Sequence, residues 1–295
     1  SDALGERGVH FVRSGRSNIA HNSMVRPLLK GKASDTLAAI RDEISSVPAS
    51  VHVLSSEMFF RTGLALPLAE GLRNADTDIR IVGYLRRPDA YAEAMYKQRV
   101  KNGRIPRDPA AFLEAWGANL AYLPTVSEYR DAFGQDALRI RPFRRELFAD
   151  GNVISDFASC LGDVDVTDLI DPNASANTTL SRAVSEHLGR VSKTTDFNTR
   201  VMIREIIAEG ASGTRRSHDV FDKGTRSKIV QDCLADLNAV REICFSEIAE
   251  PFDMADLAEG APDRYPDERE ALELERIAAD AVMEAVGRQS QRAAS

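Results

Sequence analysis

The chain has 295 residues and a mass of 32.4 kDa, enough to bury one large core or a main domain with a helical appendage. Its 43% hydrophobic and 28% charged residues are typical of a globular protein and exclude a fibrous or disordered chain. The net charge of -7 argues against general nucleic-acid binding, so we expect no nucleic-acid partner.

The sequence contains no run of about 18 to 20 apolar residues and no apolar signal-peptide core, so we expect no transmembrane segment. The three cysteines, Cys160, Cys233 and Cys244, are odd in number and have no metal-ligand spacing. This pattern predicts a reducing, cytoplasmic location and no structural metal. Nothing in the sequence indicates the oligomeric state.

Strand and helix signals alternate in the first half of the chain. A helix end runs into a strand near Val9 and Phe11, and further strands are predicted at 51–54, 79–85 and 138–143. Helical spacing is found at 37–44, 64–72, 90–100 and 112–120, the last continuing toward Tyr129. This order predicts a parallel or mixed sheet covered by helices, with ligands outside the carboxyl ends of the strands.

The second half is predicted to be mainly helical, with helices at 153–161, 180–188, 199–207, 227–245 and 267–286, the last ended by Gly287. We therefore expect an α/β core over residues 1–165. Residues 166–295 are a mainly helical remainder of the same domain or an appendage. The acidic residues between 253 and 275 are expected to form a solvated surface.

An arginine pair marks the end of the strand predicted at 79–85. Arg86 and Arg87 follow that strand directly, and a proline then starts the next helix. An anion at this point meets backbone amides and guanidinium groups. Lys97 and Lys101 extend one face of the helix, which makes a phosphate site or, alternatively, an exposed helix with solvated lysines.

The residues of this corner read Tyr84-Leu85-Arg86-Arg87-Pro88-Asp89-Ala90-Tyr91, then Met95-Tyr96-Lys97-Gln98 and Val100-Lys101-Asn102-Gly103. The string resembles the 3′-phosphate-binding element of sulfotransferases that use 3′-phosphoadenylyl sulfate (PAPS). Further segments are similar, in order, to bacterial members of that family over roughly the first 180 residues. They are Gly8-Val9, Ser14-Gly15-Arg16, His21, Val53-Leu54-Ser55-Ser56-Glu57, Arg141-Pro142-Phe143, Asp156-Phe157, Leu161-Gly162 and Asn173-Ala174-Ser175.

The resemblance implies a three-layer parallel sheet of the P-loop nucleotide-kinase and sulfotransferase type, and transfer of a sulfuryl group from PAPS to a hydroxyl or amine. It implies that Arg86, with Arg87, Lys97 and Lys101, binds the cofactor, that a small molecule or a glycan is the acceptor, and that no metal is needed. Two features depart from the family. No phosphate loop of the Lys-Thr-Gly-Thr-Thr kind is found, which we interpret as truncation before Ser1, and Ala94 replaces the usual phosphate-binding serine.

Sulfuryl transfer needs a base, and the family uses a histidine or a glutamate. The two candidates are His21, whose ordinary pKa near 6.5 suits a base at neutral pH, and Glu57 at the end of a predicted strand. His21 is slightly favoured. Each also has a structural interpretation, as a loop histidine bonded to the backbone and as a helix-capping or arginine-paired carboxylate.

Two other functions fit parts of the sequence. Asp163-Val164-Asp165 is a possible metal-binding pair of a glycosyltransferase that uses a nucleotide sugar. A sulfotransferase-like protein that binds a nucleotide or an anionic glycan without turnover is the non-enzyme alternative. Arg104 and Arg107 favour an anionic carbohydrate as acceptor, and Lys223-Gly224-Thr225-Arg226 is either a weak match to a PAPS-contacting loop or a plain helix start.

Overall fold

The structure is a computed structural model that describes residues 2–73, 77–103, 108–162, 164–165, 168, 179–194 and 198–294. The strands are β1 (Val9–Phe11), β2 (Val51–Val53), β3 (Ile81–Leu85) and β4 (Leu138–Pro142). The helices of the first half are α1 (Asp2–Gly5), α2 (Val25–Leu29), α3 (Ser34–Ser46), α4 (Ala65–Leu72), α5 (Pro88–Lys101), α6 (Pro109–Trp116) and α7 (Leu123–Phe133). Those of the second half are α8 (Val153–Leu161), α9 (Arg182–Thr194), α10 (Thr199–Glu209), α11 (Lys223–Asp232), α12 (Leu234–Cys244) and α13 (Glu268–Ala294).

The strands pair in parallel, and the mixed α/β class predicted from the sequence is confirmed. β1 pairs with β2 in the register Val9↔Val51, and β3 pairs with β4 in the register Ile81↔Leu138. In the part of the chain that the structure describes, these are two separate two-stranded sheets. Parallel strands need a crossover connection, and α3 supplies one between β1 and β2.

Three helices differ from the prediction. The helix expected at 227–245 is broken into α11 and α12 at Cys233, whose amide donates to the carbonyls of both Ile229 and Val230. The helix expected from 112 to 120 and on toward Tyr129 is divided into α6, a 3-10 helix (Gly117–Leu120) and α7. The helix expected to stop at Gly287 continues as α13, because an internal glycine costs a helix only about 1 kcal/mol.

The described residues form two compact units of discontinuous segments. The first unit draws on Ser1–Leu85, Tyr122–Ala174 and Ala235–Phe252, and the second on Arg86–Ala121, Ser175–Leu234 and Asp253–Ser295. The sequence predicts a boundary at residue 165 between two continuous segments, 1–165 and 166–295. The two compact units are built from discontinuous segments and do not test that boundary, which stays a prediction.

The first unit contains all four strands, and its apolar residues are buried around them. Periodic apolar residues of α2, α3 and α4 face inward, as expected for amphipathic helices. The buried residues near β1, β2 and these helices include Val9, Val12, Met24, Val25, Leu28, Leu37, Ile40, Val53, Leu64 and Leu68.

The second unit is helical and has two apolar clusters. One lies among α9, α10 and α13 and includes Val184, Leu188, Ile206 and Ala278. The other surrounds Tyr96 of α5, with Phe112 and Trp116 stacked at a ring-centroid distance of 5.2 Å. The backbones of α5 and α9 approach closely at Gly189, where a Cβ would lie 2.0 Å from the Val100 carbonyl oxygen.

Arg288 and Arg292 anchor the end of α13 to α10. Arg288 Nη1 lies 2.8 Å from a Glu209 carboxylate oxygen, and Arg292 Nη1 lies 2.6 Å from Glu205 Oε1. These ion pairs explain why the helix persists beyond Gly287. Among the described residues, none of the helices has the length and apolar character that crossing a membrane requires.

Candidate functional site

His21 lies between β1 and the 3-10 helix Asn22–Met24, and it is held against the turn after β2. Its amide donates to the Ser55 carbonyl at 2.8 Å, and its Nδ1 lies 3.2 Å from both the amide nitrogen and the carbonyl oxygen of Ser55. The side chain is 1% exposed, and within the described residues Nε2 has no hydrogen-bond partner. Burial lowers the pKa of His21, although the Ser55 carbonyl opposes this, so the imidazole is neutral at neutral pH.

The segment that leads to His21 is fixed by Glu43 on α3. The Glu43 carboxylate accepts the amides of Arg13 and Ser14, each at 2.7 Å, and contacts His10 Nε2 at 2.7 Å. Burial acts to raise the pKa of Glu43, but these hydrogen bonds outweigh it and lower the pKa to about 2. Glu43 therefore anchors the chain after β1 as an ionised carboxylate.

Glu57 follows the turn that contacts His21. The Ser56 hydroxyl donates to the Asn22 side-chain oxygen at 2.5 Å, which joins this turn to the 3-10 helix after His21. Glu57 itself is exposed. The structure thus brings the two candidate bases to neighbouring loops of the first unit, one buried and one exposed.

Arg87 lies just before α5 and is almost entirely buried, with 8% exposure. Its Nε and Nη2 donate to the two oxygens of Asp89 at 2.6 and 2.8 Å, and its Nη1 and Nη2 donate to those of Asp256 at 2.6 and 3.0 Å. Nη1 also donates to the Asp253 carbonyl. An arginine has five N–H donors, so all of those of Arg87 are in use.

Arg226 on α11 closes this arrangement into a ring. Its Nε donates to Asp89 Oδ2 at 2.9 Å and its Nη2 donates to Asp256 Oδ2. We call Arg87, Asp89, Arg226 and Asp256 the arginine ring. It contains two positive and two negative charges. Burial acts to raise the pKa of Asp256, but the hydrogen bonds from the two arginines lower it well below its ordinary value.

Lys97 lies further along α5 and belongs to the second unit. Its ammonium contacts Glu93 Oε1 at 2.8 Å, the Arg216 carbonyl at 2.8 Å and Asp219 Oδ1 at 2.5 Å. The ammonium thus has two hydrogen-bond acceptors and, in Asp219, a second carboxylate at ion-pair distance. We call Glu93, Lys97 and Asp219 the lysine cluster. Desolvation, with a smaller effect from the nearby Glu93 carboxylate, outweighs the attraction of Lys97 and raises the pKa of Asp219.

The four predicted cofactor residues therefore have different environments. Arg86 is exposed, Lys101 is half-buried, and Arg87 and Lys97 are buried in the ion pairs described above. His21 and Glu57 belong to the first unit and these four basic residues belong to the second. The assignment of all six to a site stays a prediction.

The sequence did not indicate the partners of Arg87 and Lys97. Asp256 lies in the acidic stretch predicted to be solvated, yet it is a member of the arginine ring with a side chain only 21% exposed. Arg226 belongs to the segment interpreted as a weak match to a PAPS-contacting loop or as a plain helix start, and α11 does begin there, capped by Asp222, which accepts the Thr225 amide at 2.6 Å. The four-residue spacing of Asp89, Glu93 and Lys97 is a local signal for part of these contacts, since such residues share a helix face.

Some predicted features lie outside the described residues. These are Asp163 of the possible metal pair, Arg104 and Arg107, and the Asn173-Ala174-Ser175 motif. In the part of the chain that is described, no group of three or more His, Cys, Asp or Glu side chains is arranged to hold a metal ion.

Comparison with known proteins gives little guidance to function. No family model matches the chain, and no solved structure matches it. The chain is similar to an uncharacterized protein of Archaeoglobus fulgidus, at 32% identity over 114 residues. The match covers 39% of this chain and 30% of the length of that protein.

Proposed function

We propose that the protein is a PAPS-dependent sulfotransferase with a three-layer P-loop type fold, and that Arg86 binds the 3′-phosphate of the cofactor. The observation that carries the proposal is the exposure of Arg86 beside the start of α5. Its neighbour Arg87 is buried and forms ion pairs with two carboxylates. Among the described residues, no side chain caps that helix start, which suits an incoming phosphate.

The arginine ring supports this role indirectly. Its two arginines are neutralised by two aspartates, so Arg87 and Arg226 add little net charge for an anion to meet. The ring instead fixes the backbone immediately after Arg86, since Arg87 precedes α5 and Asp89 lies in its first turn. A fixed backbone reduces the entropy lost when Arg86 engages a phosphate.

In the proposed reaction the acceptor hydroxyl or amine attacks the sulfur of PAPS. A new bond forms between the acceptor atom and sulfur, the bond between sulfur and the bridging phosphate oxygen breaks, and 3′,5′-ADP leaves. The acceptor's proton passes to a base. His21, neutral and with Nε2 unpartnered among the described residues, has the protonation state a base requires, and exposed Glu57 is the alternative. A glycan is one class of acceptor and a small molecule the other.

Calorimetric titration with 3′,5′-ADP tests the proposal on the protein expressed from its complete reading frame. Loss of a charge-assisted contact costs roughly 1.5–3 kcal/mol, so Arg86→Ala is expected to weaken binding about 10-fold to 100-fold. Arg269→Ala is the matched control, because Arg269 is an exposed arginine of the same unit. Absence of binding, or equal affinity of the Arg86→Ala protein, would refute the proposal.

The base is tested by the pH dependence of sulfuryl transfer. With His21 as base, kcat/KM rises with pH below the ordinary histidine pKa of about 6.5 and is flat at neutral pH. His21→Ala removes that limb, and Glu57→Gln leaves it in place. The reverse result assigns the base to Glu57.

A non-catalytic nucleotide-binding protein is the second candidate, favoured by the ion pairs that Arg87 and Lys97 form with carboxylates within the fold. Fewer basic groups then remain for the cofactor. The two functions are separated by measuring transfer of labelled sulfate from PAPS to a panel of phenols and glycans. Binding of 3′,5′-ADP without transfer to any acceptor identifies the non-catalytic protein.

A further inference from the structure

The first unit contains a cavity of about 230 Å³ beside β4. All five residues of the strand line it, together with residues at and after the end of α12, including Cys244, Phe245 and Ile248. In the described part of the chain β4 pairs only with β3. The cavity therefore adjoins a strand that is paired along one edge.

The polar part of the cavity is built around Arg141. Arg139 and Arg141 alternate along β4 with the buried Leu138 and Ile140, so both arginines lie on the same face of the strand. Arg141 Nη1 donates to Asp156, and among the hydrogen bonds of the described residues Nη2 and Nε make none. The Arg141 side chain is 39% exposed, which leaves these donors accessible from the cavity.

The carboxylate of Asp156 does not compete for a ligand, because three donors already occupy it. Besides Arg141, it accepts the Tyr84 hydroxyl at 2.7 Å and the Ala149 amide at 3.0 Å. Asp156 is 1% exposed, and its hydrogen bond fixes the position of the Arg141 guanidinium. The other charged residues in the lining are the positive Arg141 and Arg139 and the negative, exposed Glu247.

The apolar part of the lining is mostly aliphatic and includes two aromatic rings, those of Phe148 and Phe245. The Phe148 ring packs at right angles on Tyr84, with centroids 5.7 Å apart, and lies 5.3 Å from Phe143. Phe245 is 2% exposed and is braced by Phe252. Aromatic walls fixed in this way favour a flat apolar group over a flexible polar one.

We propose that this cavity is a binding site for a small organic monoanion with an apolar body, such as an aromatic carboxylate. The anionic group pairs with Arg141, and the ring lies against Phe148 and Phe245. Size agrees with this class, since an apolar cavity of about 150 Å³ is known to admit benzene, and 230 Å³ leaves room for a carboxylate as well. Glu247 in the lining disfavours a second negative charge.

Fluorine NMR with 4-fluorobenzoate as the probe tests the site on the whole protein. Line broadening and a shift that saturate at millimolar probe are expected, and 4-fluorobenzyl alcohol, of the same shape without charge, is expected to bind at least 10-fold more weakly. Equal binding of the two probes, or no saturable binding of the acid, overturns the proposal.

Two variants locate the probe. Ile248→Trp fills the cavity without touching the Arg141 network and is expected to abolish saturable binding. Arg141→Lys keeps the charge but removes the bidentate contact of a guanidinium with a carboxylate, and it is expected to weaken binding about 10-fold. The control is Arg145→Lys, which changes an exposed arginine outside the lining and is expected to leave binding unchanged. Circular dichroism verifies folding of each variant. Unchanged binding by the folded Ile248→Trp protein places the probe elsewhere and refutes the site.

Discussion

Substitution of Glu43 by glutamine tests whether a single half-buried carboxylate anchors the segment that carries His21. The glutamine keeps the shape of the side chain but loses its charge, while the amides of Arg13 and Ser14 and the His10 ring still face it. One unit of pKa shift corresponds to about 1.36 kcal/mol. Lowering the pKa from 4.5 to about 2 therefore represents roughly 3 kcal/mol of stability at pH 7.

The sign of the pH dependence follows from the direction of the shift. Glu43 has a lower pKa in the folded state than in the unfolded state, so its contribution is complete above about pH 4.5 and is lost as the pH falls toward 2. The stability difference between the native protein and Glu43→Gln should accordingly fall from about 3 kcal/mol at pH 7 to about 2 kcal/mol at pH 3.5. Other carboxylates titrate in both proteins and cancel in this difference.

Hydrogen exchange measured by mass spectrometry on peptides spanning β1 and β2 reports this stability locally, which avoids assuming that the whole chain unfolds in one step. Asp42→Asn is the matched control, because Asp42 is the exposed neighbour of Glu43 on α3. The reasoning fails if Glu43→Gln changes exchange no more than Asp42→Asn does. It also fails if the difference grows as the pH is lowered.

Two further substitutions test the second unit by thermal and urea unfolding. Gly189→Ala places a Cβ 2.0 Å from the Val100 carbonyl oxygen and should lower the free energy of unfolding by about 3 kcal/mol. In the control, Gly287→Ala, the new Cβ meets no atom within 4 Å, so this change should be neutral or stabilising. Similar effects of the two substitutions would contradict the close packing of α5 and α9. Arg226→Met leaves the two carboxylates of the arginine ring with one guanidinium and should lower the free energy of unfolding by about 3–5 kcal/mol. Lys228→Met, on the exposed side of the same helix, should lower it by about 0.5 kcal/mol or less. Equal losses of stability would contradict a stabilising role of the arginine ring.

Local patterns in the sequence were sufficient to predict the elements that depend on local interactions. β2, β3 and β4 lie within one or two residues of the predicted strands, because runs of β-branched residues bounded by turn residues are a local signal. The break at Cys233 was missed, since the apolar spacing continues across it and only the shared hydrogen bonds of its amide reveal the change. The continuation of α13 past Gly287 was missed because its ion pairs join α13 to α10, which are distant in sequence.

The candidate site was less predictable for the same reason. The sequence located Arg86, Arg87 and His21 in loops, but Arg87 and Lys97 each have, besides a near neighbour on α5, a partner more than 100 positions away. Helical spacing put Lys97 on the same face as Lys101, which is correct as geometry. Whether a face is solvated or buried depends on α11 and on the segment around Asp219, and no local pattern carries that information.

The arginine pair illustrates how such long-range partners decide function. Two adjacent arginines after a strand are equivalent in sequence, yet a buried guanidinium is stable only when its charge is compensated, and Asp89 and Asp256 compensate one of the two. An anion that displaced these carboxylates from Arg87 would leave the buried Asp89 and the half-buried Asp256 facing Arg226 alone, which costs several kcal/mol. Arg86 is exposed, so an anion that binds there does not displace the carboxylates of the arginine ring. The ion pairs of Arg87 are therefore the physical reason to propose Arg86, rather than Arg87, as the anion-binding residue.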